Sequence, residues 1–340
     1  MTAAHIAFLV ESGPDVGLGH LSRCRALAQA ALGDGARATF LVAGDRRARA
    51  FLADVAAEVE AVAWPPDPAA LCDAVRRLRP DVVVVDSYAV PPGTFTAVRR
   101  LAQVVAIDDL ADRPLPVDVV VNGSAAAEGL HYVRGPDTLF LLGARYALLD
   151  PGYAATPRRR SADRVERLLI CFGGSLQSTA VRAALEAAGR ALDGCAVDVA
   201  AGPYGEDIEG AEAAPPSGGN RVVVHRHRFG LRELMLGADA AISGAGVTLS
   251  ELAATATPTV AVAVAANQRS NLEAFARAGA ALAVDARAGG LGAAIESSLR
   301  RIVADRALRL DLGKRARDLV DGQGASRVAQ SIASLVVSRR

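Results

Sequence analysis

The residue with the clearest capacity for chemistry is His20, which closes a glycine-containing turn. The segment Gly13-Pro14-Asp15-Val16-Gly17-Leu18-Gly19-His20 stands between an apolar run that predicts a strand and a pattern that predicts a helix. Glycines allow a tight turn and a close approach of the backbone to a ligand at the helix N-terminus. The helix dipole disfavours a protonated ring there, so we expect a neutral imidazole that takes a proton from an attacking water or hydroxyl.

A second glycine turn, Gly244-Ala245-Gly246-Val247-Thr248, follows a predicted strand and opens a predicted helix over 249–256. The free N–H groups of such a turn suit a diphosphate. Glu251 lies about one turn into the helix, where a carboxylate can accept both hydrogen bonds from a ribose diol. An alternative is ordinary helix capping by Thr248 or Ser243, with Glu251 facing the positive end of the dipole.

Polar residues follow two further predicted strands. Phe172-Gly173-Gly174-Ser175 comes after one strand, and Ala266-Asn267-Gln268-Arg269 comes after another. Because the carboxyl ends of parallel strands meet at one edge of a sheet, we expect these groups to lie near the second glycine turn. Their shared position indicates a ligand site.

The elements that must position these residues alternate between short apolar strands and helical patterns, which predicts an α/β protein with parallel sheets. At 340 residues the chain is long enough for two domains. The pattern restarts after a polar, Pro- and Arg-rich segment, so we predict an N-terminal domain over 1–150, a linker over 151–165 and a C-terminal domain over 166–340. The predicted strands span 5–11, 38–42, 81–86, 104–107, 117–121, 139–142, 168–172, 196–200, 222–224, 240–243 and 259–264.

Composition excludes several classes of function. The net charge of +1 provides no bulk field to attract nucleic acid or an anionic membrane. The four cysteines are scattered, without the spacing of a zinc site or a redox pair. The sequence starts without a basic and apolar leader. We therefore expect a cytoplasmic enzyme that needs no metal or cofactor and makes no stable membrane association, and we predict no particular oligomeric state.

Taken together, the motifs resemble a known family. The chain is similar, from about residue 5 to 330, to the UDP-sugar hydrolases of pseudaminic acid biosynthesis, which are related to the lipid II GlcNAc-transferase and share its GT-B fold. The matching motifs, in order, are Gly17-x-Gly19-His20-x-x-Arg23-Cys24, Asp86-Ser87-Tyr88, Ile107-Asp108-Asp109, Asn122, Leu142-Gly143-Ala144-Arg145-Tyr146-Ala147-Leu148-Leu149, Phe172-Gly173-Gly174, Gly244-Ala245-Gly246-Val247-Thr248-x-x-Glu251 and Asn267-Gln268.

This resemblance implies two Rossmann-like domains whose parallel sheets face a central cleft. The C-terminal domain would bind UDP, with Glu251 on the ribose and the helix start at 245–248 on the diphosphate. His20 would activate a water for inverting attack at the anomeric carbon, with C–O cleavage and release of UDP. The diphosphate is already a stable anion and needs no general acid, unlike the leaving group of ordinary glycosidases.

The same carry-over implies a set of substrate contacts. They are Glu11, Gly17, Gly19, Arg23, Asp86, Tyr88, Asp108, Asn122, Gly173, Gly174, Ser175, Ala245, Gly246, Val247, Thr248, Glu251, Asn267 and Gln268. Four of these, namely Asp86, Tyr88, Asp108 and Asn122, sit at strand ends where capping a turn explains them equally well. The chain departs from the family at Leu9 and Glu11, where Arg and Asp are usual, and at Asp150, where a basic residue is common. The sugar is therefore left open.

Three other functions fit part of the pattern. A glycosyltransferase would use the same donor site, with His20 deprotonating an acceptor hydroxyl instead of water. An NAD-dependent oxidoreductase would use Gly17-Leu18-Gly19 and an acidic residue such as Asp45, but Ser22 stands where the third glycine of that fingerprint belongs. A non-catalytic protein that binds nucleotide sugars would keep the fold without the activity.

Overall fold

A computed structural model describes residues 3–13, 16, 18–43, 46–63, 67–157, 162–173, 178–202, 218–226, 230–285 and 290–339. The chain divides into two compact units. The first comprises Met1–Gly152 together with Gly322–Arg340, and the second comprises Tyr153–Asp321. Each unit is built on its own parallel sheet.

The described part of the first unit contains a seven-stranded sheet. Its strands are β1 (His5–Val10), β2 (Arg37–Ala43), β3 (Glu58–Val62), β4 (Val82–Asp86), β5 (Gln103–Ile107), β6 (Val119–Asn122) and β7 (Leu139–Leu142). Every pairing is parallel, and the order is β3-β2-β1-β4-β5-β6-β7. The order reverses between β1 and β4, which makes their carboxyl ends the switch point where doubly wound sheets bind ligands.

Helices connect these strands and cover the sheet. They are α1 (Gly19–Gly33), α2 (Arg46–Phe51), α3 (Pro68–Leu78) and α4 (Pro92–Arg99), with short 3₁₀ turns at Ala127–Gly129, Ala144–Tyr146 and Pro151–Tyr153. All five residues of β4 are buried, as a strand covered on both faces requires. The start of α3 shows the local chemistry clearly, because Asp67 accepts a hydrogen bond from Ala70 N at 2.9 Å and Pro68 occupies the first turn.

The second unit repeats the doubly wound pattern. Its described strands are β8 (Arg167–Cys171), β9 (Ala196–Ala200), β10 (Arg221–His225), β11 (Ala240–Gly244), β12 (Thr259–Ala263) and β13 (Leu282–Asp285). Its described helices are α5 (Ser178–Ala191), α6 (Arg232–Gly237), α7 (Val247–Ala254), α8 (Arg269–Arg277), α9 (Leu291–Ala304) and α10 (Arg306–Leu319), with a 3₁₀ turn at Ala266–Gln268. The strand order is β10-β9-β8-β11-β12-β13, so the switch point lies between β8 and β11.

The last helix, α11 (Gly324–Arg339), belongs to the first unit, where it packs against α1 and the turn at Ala144–Tyr146. This corrects the predicted C-terminal domain over 166–340. The buried apolar residues of α11, such as Val328 and Ile332, need a partner surface, and α1 provides it. Gly324 permits the close approach, because a Cβ there would overlap the backbone O and N of Ala147.

The predicted linker over 151–165 is also shorter in the structure. Two arginines of α10 tie its described residues to the second unit. Arg317 donates to the carbonyl oxygens of Tyr153 and Ala154, and the buried Arg309 donates to those of Ala162 and Asp163. The unit boundary accordingly falls at residues 152 and 153.

Substitution of Gly324 by alanine is expected to lower the free energy of unfolding by about 1–3 kcal/mol, because a methyl group forced against fixed backbone atoms must displace α11. Urea unfolding measures the loss. The matched control is Gly33→Ala at the exposed C-terminal end of α1, where a Cβ meets nothing and stability should hold or rise slightly. Equal stability of the two variants would contradict the packing described for α11.

Candidate active site

The candidate site of the first unit lies at the carboxyl ends of β1 and β4. Helix α1 begins at Gly19, and its N-cap residue Leu18 makes no side-chain cap. His20 is the second residue of the helix and is only 4% exposed. Register pairs Val10 with Asp86, so the last residue of β4 lies beside the end of β1 and beneath the start of α1.

The His20 ring is held by the Asp86 carboxylate. Nδ1 of His20 lies 2.5 Å from Oδ1 of Asp86, which is completely buried. An ionised carboxylate is only an acceptor, so Nδ1 carries the proton and Nε2 presents its lone pair. Among the described residues, the polar contacts of the ring lie only at Nδ1, where Asp86 accepts its hydrogen bond and Arg23 lies close by.

This arrangement modifies two expectations from the sequence. Asp86 is not exposed to contact a sugar, and we assign it the role of orienting His20. The expectation of a neutral imidazole considered only the helix dipole, which opposes a proton on the ring. The contact with Asp86 adds a partner for Nδ1 that this expectation did not include. The pair is therefore able to receive a proton at Nε2 during a reaction.

Arg23 lies one helical turn from His20 and binds two carboxylates. Its Nε and Nη2 donate to Oδ2 and Oδ1 of Asp86 at 3.0 and 2.7 Å, and its Nη1 donates to Oδ2 of Asp109 at 2.9 Å. Burial opposes the charge, but Asp86 and Asp109 outweigh it and raise the pKa of Arg23 well above its usual value. The guanidinium of Arg23 is thus engaged with two internal carboxylates, and its predicted substrate contact stays a prediction.

Tyr88 completes the arrangement. Its hydroxyl donates to Oδ1 of Asp109 at 2.8 Å, and its ring meets the His20 ring edge to face with centroids 4.6 Å apart. Burial, followed by the charge of Asp109, raises the pKa of Tyr88 well above its usual value. Burial also raises the pKa of Asp109, but Arg23 and the Tyr88 hydroxyl outweigh it and hold that pKa below its usual value.

The turn that carries Ser87 and Tyr88 is fixed from two sides. Oε2 of Glu11 accepts from the Ser87 hydroxyl at 2.7 Å and from Tyr88 N at 2.9 Å. Arg113 donates to the carbonyl oxygens of Ser87 and Tyr88. Glu11, at the position where the family carries Asp, therefore holds the turn through one of its oxygens. Arg113 was missed by the sequence analysis, because nothing local indicates that it reaches this turn.

Asp108 and Asn122 occupy the neighbouring strand ends. Asn122 holds its own loop, because it donates to the Tyr132 hydroxyl and accepts from Ser124 N. Oδ2 of Asp108 accepts from Ala111 N at 2.9 Å, whereas Oδ1 is buried without a partner among the described residues. Burial raises the pKa of Asp108. Of these two predicted contacts, only Asp108 keeps an unused polar atom.

In the second unit, α7 presents free backbone donors. Ala245 N is bonded to the carbonyl of Val262, but the structure describes no acceptor for the N–H groups of Gly246, Val247 and Thr248. All three residues are partly exposed, and the N-cap residue Gly246 has no side chain with which to cap the helix. Ser243, one of the two caps considered from the sequence, donates its hydroxyl to the carbonyl of Gly244 instead. Unpaired donors at a helix start favour an anion.

Side chains after β12 surround this helix start. Gln268 accepts from Val264 N through Oε1, and its Nε2 lies 3.6 Å from the position that a Cβ of Gly246 would take. Asn271, which the sequence analysis missed, is buried and donates to the carbonyl of Ala245 at 2.9 Å. Asn267 is exposed. These contacts bring Gln268 to the donors of α7, as the equivalent strand ends predicted.

The remaining predicted residues divide into two groups. Gly173 lies near Thr248 with a φ of +86°, a conformation that favours glycine, and Glu251 is partly buried one turn into α7. Gly17, Gly174 and Ser175 lie outside the described residues, as does Asp45, the acidic residue of the oxidoreductase alternative. Within the described ranges, no three His, Cys, Asp or Glu side chains form a metal-binding group. None of the helices seen there has the length and apolar character needed to cross a bilayer.

Replacement of Asp86 by asparagine is expected to lower the free energy of unfolding by about 3–5 kcal/mol, because it leaves a buried guanidinium with half of its charge partners. Chemical denaturation measures the change. Asp54→Asn is the matched control, since Asp54 pairs with Arg25 in solvent and such surface pairs contribute about 0–1 kcal/mol. A loss at position 86 no larger than at position 54 would contradict a buried ion pair here.

Comparison with known proteins gives one sequence relative and several similar structures. No protein-family model matches the chain. The spore coat polysaccharide biosynthesis protein SpsG of Bacillus subtilis (strain 168) is 24% identical over 346 residues, which cover 97% of this chain and 98% of SpsG. That similarity extends over both units.

Several solved structures have a similar fold, and two of those named below are described as glycosyltransferases. MurG of Acinetobacter baumannii superposes with a TM-score of 0.71 at 17% identity, covering 97% of this chain and 99% of MurG. The spinosyn forosaminyltransferase SpnP gives 0.71 at 13% identity, covering 99% and 100%. The calicheamicin glycosyltransferase CalG4 gives 0.63 at 18% identity, covering 100% and 99%. The chain therefore has the GT-B fold, an α/β architecture with two parallel sheets.

Proposed function

We propose that this protein transfers a sugar from a UDP-sugar donor to an acceptor hydroxyl, with His20 as the general base. The observation that carries the proposal is the pairing of His20 Nδ1 with the buried Asp86 at 2.5 Å, at the switch point of the first sheet. A ring held through Nδ1 offers Nε2 as a proton acceptor in a fixed direction. General-base catalysis of this kind contributes about 10²–10⁴-fold to a rate.

The second unit would bind the donor through its diphosphate. The N–H groups of Gly246, Val247 and Thr248 and the Gln268 amide supply donors without a competing carboxylate cap. Glu251, one turn further along α7, is the proposed partner of the ribose. Donors fixed before the reaction stabilise the charge that develops on a departing diphosphate. Gly173 and Asn267 remain proposed contacts at the same edge of the sheet.

The proposed reaction is a single displacement with inversion. The acceptor oxygen attacks the anomeric carbon while its proton moves to Nε2 of His20. The bond between the anomeric carbon and the diphosphate oxygen breaks, and UDP leaves with the bonding electron pair. Asp86 stabilises the imidazolium that forms, because the positive ring then faces a buried carboxylate. Gly19, Tyr88 and Asp108 remain the proposed neighbours of the sugar.

Two kinds of support favour transfer. The similar structures CalG4 and SpnP are described as glycosyltransferases, and the relative SpsG is described as a spore coat polysaccharide biosynthesis protein. We therefore place the reaction in the building of a glycan. Hydrolysis, the activity implied by the motif series around His20 and Asp86-Ser87-Tyr88, is the second candidate. The same base would then activate water, and an amino or deoxy sugar of the pseudaminic acid type would be released.

His20→Asn is expected to lower kcat by about 10²-fold or more while binding of UDP is retained, because asparagine keeps the polarity of the site but cannot accept a proton. UDP release from UDP-linked amino and deoxy sugars measures the rate, and calorimetry measures binding. The exposed His131→Asn serves as the control and should match the wild type. Full turnover by the asparagine variant would remove His20 from the mechanism.

The wild-type assay separates the two candidate reactions when it is run with and without glycan acceptors. A transferase should release UDP at a near-background rate until an acceptor is added. A hydrolase should release UDP at its full rate in buffer alone. UDP release at background under both conditions, across the donor panel, would contradict both readings.

Val247→Pro is expected to weaken UDP binding by about 10-fold or more, because it deletes one N–H donor at a charged ligand. Val247 is the first residue of α7, where proline is tolerated and no helical hydrogen bond is lost. Val247→Ala keeps the N–H and is the matched control. Calorimetric titration with UDP gives the affinities, and equal affinities for the two variants would exclude this N–H from the diphosphate site.

A further inference from the structure

We infer that Arg23 is a positioning residue that tunes the strength of the His20 base, by partly neutralising the two carboxylates that draw a proton onto the ring. This role deepens the proposed function and rests on it for any effect on turnover. The role itself concerns only side chains of the first unit. It can therefore be measured in the protein without a substrate.

Five side chains form a closed ring of contacts around the base. Asp86 binds His20, and Arg23 binds Asp86 through two nitrogens. Arg23 continues to Asp109, Asp109 accepts from the Tyr88 hydroxyl, and the Tyr88 ring returns to the edge of His20. Nη2 of Arg23 lies 3.2 Å from Nδ1 of His20. A charge on Arg23 is therefore applied directly beside the base.

The formal charges of these five side chains do not sum to zero while His20 is neutral. Asp86 and Asp109 carry two negative charges, and Arg23 supplies one positive charge. The group becomes neutral when His20 gains a proton. Because the group is largely buried, the interactions are weakly screened by solvent. The proton that leaves the acceptor in the proposed reaction is thus the charge that balances the cluster.

Among the described residues, two further groups near His20 carry no formal charge at neutral pH. On α1, Cys24 is buried, and burial with the charge of Asp86 raises the pKa of its thiol. Tyr88, on the turn after β4, keeps its proton because its pKa is raised. Glu11, at the end of β1, acts one step away through the Ser87–Tyr88 turn. From the end of β5, Asp109 is the group that faces the ring.

The direction in which each substitution should move the titration of His20 follows from this count of charges. Without the positive charge of Arg23, two carboxylates draw the proton unopposed, and His20 should titrate at higher pH. Without the negative charge of Asp109, the same guanidinium opposes the proton more strongly, and His20 should titrate at lower pH. Near charges within a few ångströms shift titrations by about 1–3 pH units. A base that is already protonated cannot accept the proton of the acceptor, so the inferred effect of Arg23 is to favour the form of His20 that the proposed reaction needs.

The test is the pH titration of the His20 ring by two-dimensional ¹H–¹³C NMR in Arg23→Gln, Asp109→Asn and the wild type. The expected midpoint moves up by about one unit in the first variant and down by about one unit in the second. Arg23→Lys keeps the charge and should stay within a few tenths of a unit of the wild type. Arg25→Gln removes a guanidinium from the same helix where it faces Asp54 and Asp150, and it should leave the titration unchanged.

Shifts in the same direction in Arg23→Gln and Asp109→Asn, or no shift in either, would overturn the inference, because loosening of the structure alone has no reason to act with opposite signs. If Arg23→Gln does not fold, the downward shift in Asp109→Asn and the retained midpoint in Arg23→Lys decide the question. An unshifted midpoint in a folded Asp109→Asn would then overturn it.

Activity gives a separate readout. If the proposed function holds, the acid limb of kcat/KM should move with the NMR midpoint in each variant. If no variant and no wild-type sample turns over a UDP-sugar, the proposed function fails while the titration still decides the role of Arg23. The expected opposite shifts without turnover would overturn only the proposed function. Turnover without those shifts would overturn only the role of Arg23.

Discussion

The structure of the first unit depends on one constraint, which is that the carboxylate of Asp86 is buried completely at the end of β4. A buried charge is costly unless it is paired and hydrogen-bonded. The pairing comes from α1, which places His20 and Arg23 three residues apart on one face above the strand end. This geometry requires β1 and β4 to be neighbours, and the reversal of strand order makes them so. The strand order thus provides the pairing that the buried carboxylate of Asp86 requires, and the same pairing positions His20.

The second unit has the same doubly wound topology but carries different groups at its switch point. Its switch point exposes unpaired donors at the start of α7, where the first unit offers an imidazole backed by carboxylates. A helix start with no acidic cap retains its full attraction for an anion. The second unit therefore offers N–H donors that favour an anion, whereas the first unit offers a proton acceptor. Gln268 places its amide nitrogen near these donors, and Asn271 holds the carbonyl of Ala245 beside them, both without adding charge.

Much of the fold was visible in the sequence, because central strands such as β4 are continuous apolar runs. The sequence analysis missed β3 and β13, which are edge strands with partly exposed residues, including Glu58, Glu60 and Asp285. His20 was identified from its turn, but its contact with Asp86 was not predicted. Asp86 lies 66 residues away, and such pairing leaves no local pattern. Arg113 and Asn271 were missed for the same reason, since their roles come only from tertiary contacts.

The return of α11 to the first unit has a consequence for how the protein is made. During synthesis the ribosome releases the strands of the first sheet early, but the surface of α1 that α11 covers stays exposed until the final helix emerges. The second unit has all of its segments by residue 321 and can complete its core before the first unit does. The packing of α1, which carries His20, is therefore completed only when α11 emerges after the second unit, although α1 is made before that unit.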